Sequence, residues 1–182
     1  MIPPFSLTRI HHVAYRCNDA AETVEFYQRV LGLSFRLAFS ENQVPSTKEP
    51  HPYMHVFLDV GMGNVLAFFE LPTQPPMGRD PNTPAWVQHI AFELDSREML
   101  NRAAEHIRQC GVDVLGPVDH GLFESIHFFD PNGHRLELAV NTGSATLQEQ
   151  AERIAPEMLE QWRTTRRAPA IGSFLHAKEF ES

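Results

Sequence analysis

The stretch that decides the fold is a tight hairpin, Ser125-Ile126-His127-Phe128-Phe129-Asp130-Pro131-Asn132-Gly133-His134-Arg135-Leu136-Glu137-Leu138. Its Asp-Pro-Asn-Gly centre has the composition of a type I turn, and a left-handed Gly133 would make a three-residue loop with a bulge. Counting outward from that loop places His127 opposite Glu137, whereas a two-residue loop would place Ile126 there. Because Glu137 is a carboxylate in a mostly apolar strand, it is costly unless something binds it.

Composition narrows the classes of protein to which the chain can belong. Its 182 residues suffice for one domain of good size, or for two small modules that share a core. The net charge of −8 argues against a surface for nucleic acid or anionic membranes. We expect no membrane-spanning segment and no signal peptide. Cys17 and Cys110 fit two thiols in a reducing cytoplasm, so we expect a cytoplasmic location.

One order of elements, a strand, a helix and three strands, occurs twice along the chain. In the first half we expect a helix between an Asp19 cap and Gly32, with strands at Ile10 to Arg16, Leu33 to Phe39, Tyr53 to Val60 and Val65 to Leu71. In the second half the helix lies between Ser96 and Gly111, with strands at Val87 to Leu94, at Val112 to Leu115 and in the two arms of the hairpin. The residues repeat too, since His12-Val13-Ala14 matches His89-Ile90-Ala91. The sequence therefore predicts an internally duplicated α+β protein.

The duplication sets the expected domain boundaries. Residues 1–143 form one domain, with a first module at about 8–72, a proline-rich linker at 73–84 and a second module at about 85–141. Residues 144–182 form a helical tail whose amphipathic spacing requires it to pack on the domain or on a partner subunit. Pro156 is expected to mark a break in this tail or the start of a second helix.

Each repeat supplies a histidine in its first strand and a glutamate in its last. These residues are His12, Glu70, His89 and Glu137, and a set of two imidazoles and two carboxylates suits a divalent metal such as Fe, Mn, Co, Ni or Zn. A single strand histidine is more often simply hydrogen-bonded, and Glu70 alone could equally be an exposed charge at a hairpin end. Four such residues in matching places of two repeats favour the metal site.

These motifs together resemble the vicinal oxygen chelate superfamily, which contains glyoxalase I, methylmalonyl-CoA epimerase, extradiol dioxygenases and antibiotic-resistance proteins such as bleomycin resistance protein. The resemblance spans about residues 8–140 and rests on four stretches, Ile10-His11-His12-Val13-Ala14, Glu25 to Leu33, His89-Ile90-Ala91-Phe92 and Asp130 to Leu138. It implies two βαβββ modules that form a curved, barrel-like mixed sheet around one divalent metal ion. It also implies that His12 rather than His11 is the first ligand, and that the protein is a homodimer acting on a small molecule.

The first interpretation of the chemistry is a glyoxalase-like or epimerase-like lyase or isomerase. The resemblance to the bacterial type of glyoxalase implies that His12, Glu70, His89 and Glu137 bind the metal and leave two positions open for vicinal oxygens of the substrate. A metal-adjacent carboxylate, Glu70 or Glu137, would then move a proton beside the chelated carbonyl. We favour this interpretation slightly on the sequence.

The second interpretation is an extradiol ring-cleaving dioxygenase that uses Fe(II) or Mn(II) on a catechol-like aromatic. His12, His89 and Glu137 alone would be its two-histidine, one-carboxylate ligand set. His127 stands where such enzymes place an acid–base tyrosine, and His120 stands near their helper histidine. The linker lacks a further histidine that they usually carry before the second module. A third interpretation is a resistance protein that sequesters drugs without metal, against which the retained metal-type residues argue.

The remaining candidates have open roles. His127 either steadies Glu137 through a hydrogen bond or takes part in catalysis. His120, between glycine-flanked turns, is more often solvated than functional, and Tyr53 and Phe57 line the substrate pocket or pack in the core. His51, His55 and His134 are assigned to the surface or to support of the site. The substrate and the metal are not specified by the sequence.

Overall fold

Residues 5–180 are described by a computed structural model, in which the chain is an α+β protein of eight strands, three α-helices and a C-terminal 3₁₀ helix. The predicted fold class is confirmed, because both halves follow the order strand, helix, strand, strand, strand. The strands of the described residues form two four-stranded mixed sheets. The single barrel-like sheet implied by the resemblance is therefore corrected to two separate sheets.

The first sheet has the order β1-β4-β3-β2, and its first and last strands along the chain, β1 and β4, run parallel. Its elements are β1 (Val13–Cys17), α1 (Ala20–Leu31), β2 (Ser34–Glu41), β3 (Tyr53–Gly61) and β4 (Asn64–Glu70). The second sheet has the equivalent order β5-β8-β7-β6, with β5 parallel to β8. Its elements are β5 (His89–Glu93), α2 (Arg97–Gln109), β6 (Leu115–Asp119), β7 (Phe123–Phe129) and β8 (Arg135–Asn141).

The chain divides into two compact units. Unit 1 comprises residues 1–88 and 129–134, and unit 2 comprises residues 89–128 and 135–182. In unit 1, α1 packs its apolar stripe on the sheet, and Tyr27 and Phe68 are fully buried with ring centroids 5.0 Å apart. The predicted caps of α1 are confirmed, since Asp19 accepts a hydrogen bond from the Glu22 N–H and Gly32 is left-handed at φ 69°.

The Asp-Pro-Asn-Gly turn lies in residues 129–134, which belong to unit 1. It has the predicted three-residue form, because Gly133 has φ 83° and the Asp130 N–H donates to the His134 carbonyl at 3.0 Å. Asp130 is 5% exposed, and its carboxylate accepts hydrogen bonds from the His134 N–H at 2.8 Å and from the Tyr27 hydroxyl at 3.2 Å. The turn is thus fixed by a buried carboxylate, as well as by its glycine.

Unit 2 has one apolar and one polar sheet face on its two central strands. Ile126 and Phe128 of β7 alternate with His127, and Leu136 and Leu138 of β8 alternate with Glu137; all of these side chains are buried. Strand alternation places the four apolar side chains on one face and the histidine and glutamate on the other. The core residues of α2, Leu100, Ala104 and Ile107, are buried too, and α2 contacts β8.

The C-terminal tail is helical, but it does not break where the sequence predicts. Helix α3 (Ala145–Thr165) runs through Pro156, and the 3₁₀ helix Ala170–Phe180 follows it. Proline removes one hydrogen bond of the helix. No residue of α3 is buried, so no packing contact forces the helix to bend at this proline. The predicted break at Pro156 is therefore wrong. No helix within residues 5–180 is long and apolar enough to cross a membrane.

Strand β2 forms one edge of the first sheet, and all eight of its residues are exposed. Its large apolar residues are Phe35, Leu37 and Phe39. Leu37 and Phe39 share one face of the strand, whereas a register shift between Phe35 and Leu37 interrupts the alternation before them. Their side chains are 46%, 44% and 55% exposed. Unit 1 therefore ends on an open, apolar edge.

Candidate metal centre

The candidate site of unit 2 is built around Glu137 in the middle of β8. The parallel register of β5 and β8 pairs Ala91 with Glu137, so His89 lies two residues before that pair on the same face. His89 Nε2 lies 2.9 Å from Glu137 Oε2. Two ligand atoms on one metal ion lie about 3 Å apart, because each metal–ligand bond is about 2.1 Å long. The pair has the spacing of two ligands of one ion.

His127 reaches the same carboxylate from β7. Its Nε2 lies 3.6 Å from Glu137 Oε2, in agreement with the predicted turn register. His127 is 8% exposed and Glu137 is 3% exposed. Burial and the charge of Arg135 lower the pKa of His127 below its ordinary value, and Glu137 partly opposes this effect. The lowered pKa favours the neutral form of the His127 imidazole.

Two buried polar atoms of this cluster have no hydrogen-bond partner among the described residues. They are Nδ1 of His127 and Oε1 of Glu137. Burying a carboxylate oxygen or an imidazole nitrogen without a partner is costly, and such atoms in a native protein call for a missing partner such as an ion or water. The residues present therefore fit a divalent cation.

His120 joins the cluster from the loop between β6 and β7. Its ring stacks on Phe123 at 4.6 Å, and its Nε2 lies 3.0 Å from the Ser125 hydroxyl. One ligand atom each from His120, His127 and Glu137 can be chosen so that all three lie within 4.8 Å of one another. The sequence favours a solvated His120 over a functional one. A loop residue has no strand register, so the direction of its side chain could not be derived from the sequence.

In unit 1, His12 immediately precedes β1. Its Nδ1 lies 2.8 Å from the His11 Nδ1, and its ring lies 5.8 Å from that of Phe57 and 6.3 Å from that of His55. Phe57 of β3 pairs with Ala67 of β4. His12 thus lies near the face of the first sheet that carries the side chains of Phe57 and Ala67.

Glu70 lies on the opposite face of β4. Alternation groups it with Leu66 and Phe68, and Phe68 contacts Tyr27 of α1. Its Oε2 accepts a hydrogen bond of 2.8 Å from the Ala20 N–H, the first residue of α1. Glu70 is therefore a helix N-terminal anion, a stabilising role for a carboxylate.

The registers of the two sheets identify the true counterpart of Glu137. In the second sheet Glu137 pairs with Ala91, two residues after His89. In the first sheet the residue two positions after His12 is Ala14, and it pairs with Ala67. Ala67, rather than Glu70, therefore occupies the position equivalent to Glu137. The geometry does not support Glu70 as a ligand matching Glu137, and we leave it out of the proposed ligand set.

The predicted pocket residues Tyr53 and Phe57 lie on β3 with a histidine between them. The His55 ring stacks on Phe69 with centroids 3.5 Å apart and is tilted by 45° against Phe57 at 4.1 Å. Burial and the neighbouring His12 lower the pKa of His55 to about 4. Tyr53 contacts the same Phe69 at 5.6 Å. The sequence predicts that His55 lies at the surface or supports the site. His55 lies two residues from Tyr53 and two from Phe57 on the same strand. This spacing is the sequence signal that the three side chains share one face of the sheet.

The chain is similar to several known proteins. The chain is 32% identical over 133 residues to lactoylglutathione lyase of Escherichia coli O157:H7, covering 71% of this chain and 90% of that protein. It is 30% identical over 135 residues to a putative ring-cleaving dioxygenase of Bacillus subtilis, covering 72% of this chain but only 40% of that protein. A fosfomycin resistance protein of Listeria monocytogenes, solved with Mn(II) and sulfate, superposes with a TM-score of 0.53 at 20% identity, covering 75% of this chain and 95% of that one.

The family model named Glyoxalase/Bleomycin resistance protein/Dioxygenase superfamily matches residues 9–138. This range includes every strand of the two sheets except the last residues of β8. Together with the duplicated fold and the buried histidine–carboxylate cluster, the match establishes the family. The chain belongs to the glyoxalase/bleomycin resistance protein/dioxygenase superfamily.

Proposed function

We propose that the protein is a divalent-metal-dependent dioxygenase that opens the ring of a small catechol-like aromatic, the second of the interpretations that the sequence leaves open. One observation carries this choice: the position equivalent to Glu137 in the first sheet is Ala67. With Glu70 left out, the predicted ligands are His12, His89 and Glu137. Two histidines and one carboxylate suit the Fe(II) or Mn(II) of oxygen-using enzymes.

The proposed roles follow from the residues. His89 and Glu137 hold the metal, and His12 remains the predicted additional ligand. A bound metal supplies a chelation point for two vicinal oxygens and stabilises negative charge that develops on them. His127, whose lowered pKa favours its neutral form, accepts the proton of a substrate hydroxyl. His120 contacts the substrate, and Tyr53 and Phe57 provide aromatic surface for its ring.

The test is oxygen consumption by Fe(II)-loaded protein with a panel of catechols. The protein is prepared without chelator, loaded anaerobically and assayed with an oxygen electrode and by absorbance. We expect stoichiometric oxygen uptake with a yellow ring-cleavage product, and no uptake by a Glu137→Gln variant. Absence of uptake with every diol, under loading that metal analysis confirms, would rule the proposal out.

The lyase or isomerase interpretation remains the second candidate, because the similarity to lactoylglutathione lyase extends over 90% of that protein. It needs a second acid at the metal, for which Glu70 is the predicted residue. A Glu70→Gln variant separates the two proposals. A lyase or isomerase would lose its activity on hemithioacetal or 2-oxo-acyl substrates, whereas a dioxygenase would keep most of its oxygen uptake. A protein with no affinity for Mn, Fe, Co, Ni or Zn would favour drug sequestration instead.

The homodimer and the cytoplasmic location also remain proposals. An amphipathic tail that needs a partner surface supports dimerisation, and α3 has no buried residue in the isolated chain. Two cysteines outside any disulfide fit a reducing compartment.

A further inference from the structure

We propose that Arg135 binds a carboxylate group of the substrate. This assignment, which rests on the function proposed above, makes the substrate a dihydroxybenzoate rather than an uncharged catechol. Arg135 is the first residue of β8 and lies in unit 2. A guanidinium keeps its proton and has no lone pair to offer, so Arg135 is not a metal ligand. Its role is recognition.

The strand register places Arg135 beside the candidate metal centre. It pairs with His89 across the parallel strands β5 and β8 and precedes Glu137 by two residues, so the three side chains share one face of the sheet. Two residues of a strand span about 6.6 Å, comparable with the length of a substituted benzene ring. A ring whose vicinal oxygens bind at His89 and Glu137 can therefore extend a substituent toward Arg135.

Arg135 is a half-buried cation without a counter-charge in the described part of the chain. Its Nε is buried and has no hydrogen-bond partner there. None of the ion pairs among the described residues includes Arg135, whereas the exposed Arg97 of the same unit pairs with Glu124. A cation that is partly removed from water is costly unless an anion or another acceptor contacts it. The side chain therefore fits an anionic ligand.

The acids on the same sheet face do not supply that anion. Oε2 of Glu137 lies 2.9 Å from His89 Nε2, and neither oxygen of Glu137 forms an ion pair with Arg135. Glu93 lies further along β5 and accepts a hydrogen bond from Asn141. A bound divalent metal adds positive charge next to Arg135. An anionic substrate is therefore favoured at this end of the face.

A carboxylate matches this residue in shape as well as in charge. A guanidinium is planar, and its N–H groups form a fork that binds both oxygens of a carboxylate side by side. A ring carboxylate can lie in the plane of its ring. One flat molecule can therefore present its diol to the metal and its carboxylate to Arg135 along the same sheet face.

The experiment compares two diols that differ in one group, 3,4-dihydroxybenzoate and 4-methylcatechol. Their dissociation constants are measured by calorimetry on protein incubated with Fe(II) in the absence of oxygen, so binding is observed without turnover. We expect the wild type to bind the carboxylate at least about tenfold more tightly, the size of one hydrogen bond to a charged group. Arg135→Gln should lose this preference. Arg135→Lys should keep part of it, because lysine retains the charge but not the fork.

Arg108→Gln is the matched control. Arg108 is an exposed residue of α2, so its replacement removes the same charge from the protein at a distance from β8. We expect this variant to keep the wild-type preference. Because the preference is a ratio measured on one protein sample, partial loss of folding does not change it. Circular dichroism identifies a variant that does not fold, and the other Arg135 variant then decides.

Oxygen uptake is measured separately, so the two proposals can fail independently. A preference for the carboxylate that depends on Arg135 supports the assignment even if no oxygen is consumed, and the proposed dioxygenase then fails alone. Three results would overturn the assignment, whichever catechol supports oxygen uptake. They are equal binding of the two diols by the wild type, a preference that Arg135→Gln retains, and binding of neither diol.

Discussion

Two glutamates on equivalent strands, Glu137 in the middle of β8 and Glu70 at the end of β4, differ in their surroundings. Glu137 is buried beside His89 and His127, where a carboxylate needs a cation or proton donor. Glu70 accepts the first free N–H of α1, where the helix itself provides the positive end of a dipole. The two residues are of the same type and lie on equivalent strands, but their positions along the strand differ. The resulting direction of the side chain distinguishes a candidate metal ligand from a helix cap.

Replacing each glutamate by glutamine should therefore give opposite results. Glu137→Gln removes a charged ligand, and we expect loss of metal binding in calorimetric titration with Co²⁺. Glu70→Gln should leave metal affinity unchanged and lower the free energy of unfolding by about 0.5 kcal/mol, the size of a charge–dipole contribution. A large fall in metal affinity for Glu70→Gln would contradict its role as the anion at the N-terminus of α1.

Cys17 should resist alkylation in the folded protein. It is 1% exposed, and burial raises the pKa of its thiol to about 11 from an ordinary 9.0. The reactive thiolate is then about a hundredfold less populated at pH 8 than for an ordinary cysteine, and the thiol is also sterically covered. Peptide mass spectrometry after iodoacetamide treatment should find Cys110 modified and Cys17 modified only in denaturant. Rapid labelling of both at equal rates would contradict this.

At the scale of residues, the sequence predicts which side chains are candidate metal ligands better than it predicts the direction in which each side chain points. Glu137, His89 and His127 could be grouped because one turn and one repeat fix their registers. Glu70 could not, since the long loop between β2 and β3 hides the register of β4 relative to β1. Alternation from Leu66 and Phe68 already placed Glu70 with apolar residues, but only the contact with α1 shows that this is the helix-covered face.

At the scale of elements, the packing of loops contributes to the position of the candidate site, in addition to the strands. The loop that carries His120 contains Gly121, which has φ 81° and lies directly under the Leu175 carbonyl. A side chain there would collide with that carbonyl, so the 3₁₀ helix and the loop can approach only because the residue is glycine. The C-terminal tail thereby packs beside the loop of a candidate metal ligand.

The variant Gly121→Ala tests this packing against Gly32→Ala. Gly32 is also left-handed, at φ 69°, but a Cβ there meets nothing within 4 Å. We expect Gly32→Ala to cost about 1 kcal/mol for backbone strain alone. Gly121→Ala should cost at least about 1 kcal/mol more, because the tail must move. Urea unfolding measures both, and equal costs would show that the tail contact contributes nothing.

The helices and the hairpin could be predicted from the sequence because capping and turn residues mark where they begin and end. The caps Asp19, Gly32 and Ser96 set the helices, and the Asp-Pro-Asn-Gly turn set the hairpin. Strand limits moved by a few residues, most at β6, which begins at Leu115 where the predicted strand ends. The predicted break of helix α3 at Pro156 is wrong, because the helix continues through this residue. Proline costs the helix one hydrogen bond, and the sequence does not show that this exposed helix tolerates the loss.

At the scale of the whole molecule, the tail is the predicted dimer contact. Leu159 and Trp162 of α3 are 69% and 44% exposed. Such large apolar groups gain stability when a partner covers them. We expect a dimer in sedimentation equilibrium, and a monomer for Trp162→Asp. Leu37→Asp, on the exposed edge strand, is the comparison variant and should stay dimeric. A reversed pattern would assign the contact to β2.

The open edge of β2 also bears on how the protein behaves in concentrated solution. The strand pairs with β3 on one side only, and its other edge, with three exposed apolar side chains, is a template for strand addition by any neighbouring chain. Mutual repulsion from the net charge of −8 opposes such encounters. Salt at 0.1 M confines that repulsion to about 10 Å. Light scattering should therefore rise with ionic strength, so a low-salt buffer is the one in which this protein keeps its colloidal stability.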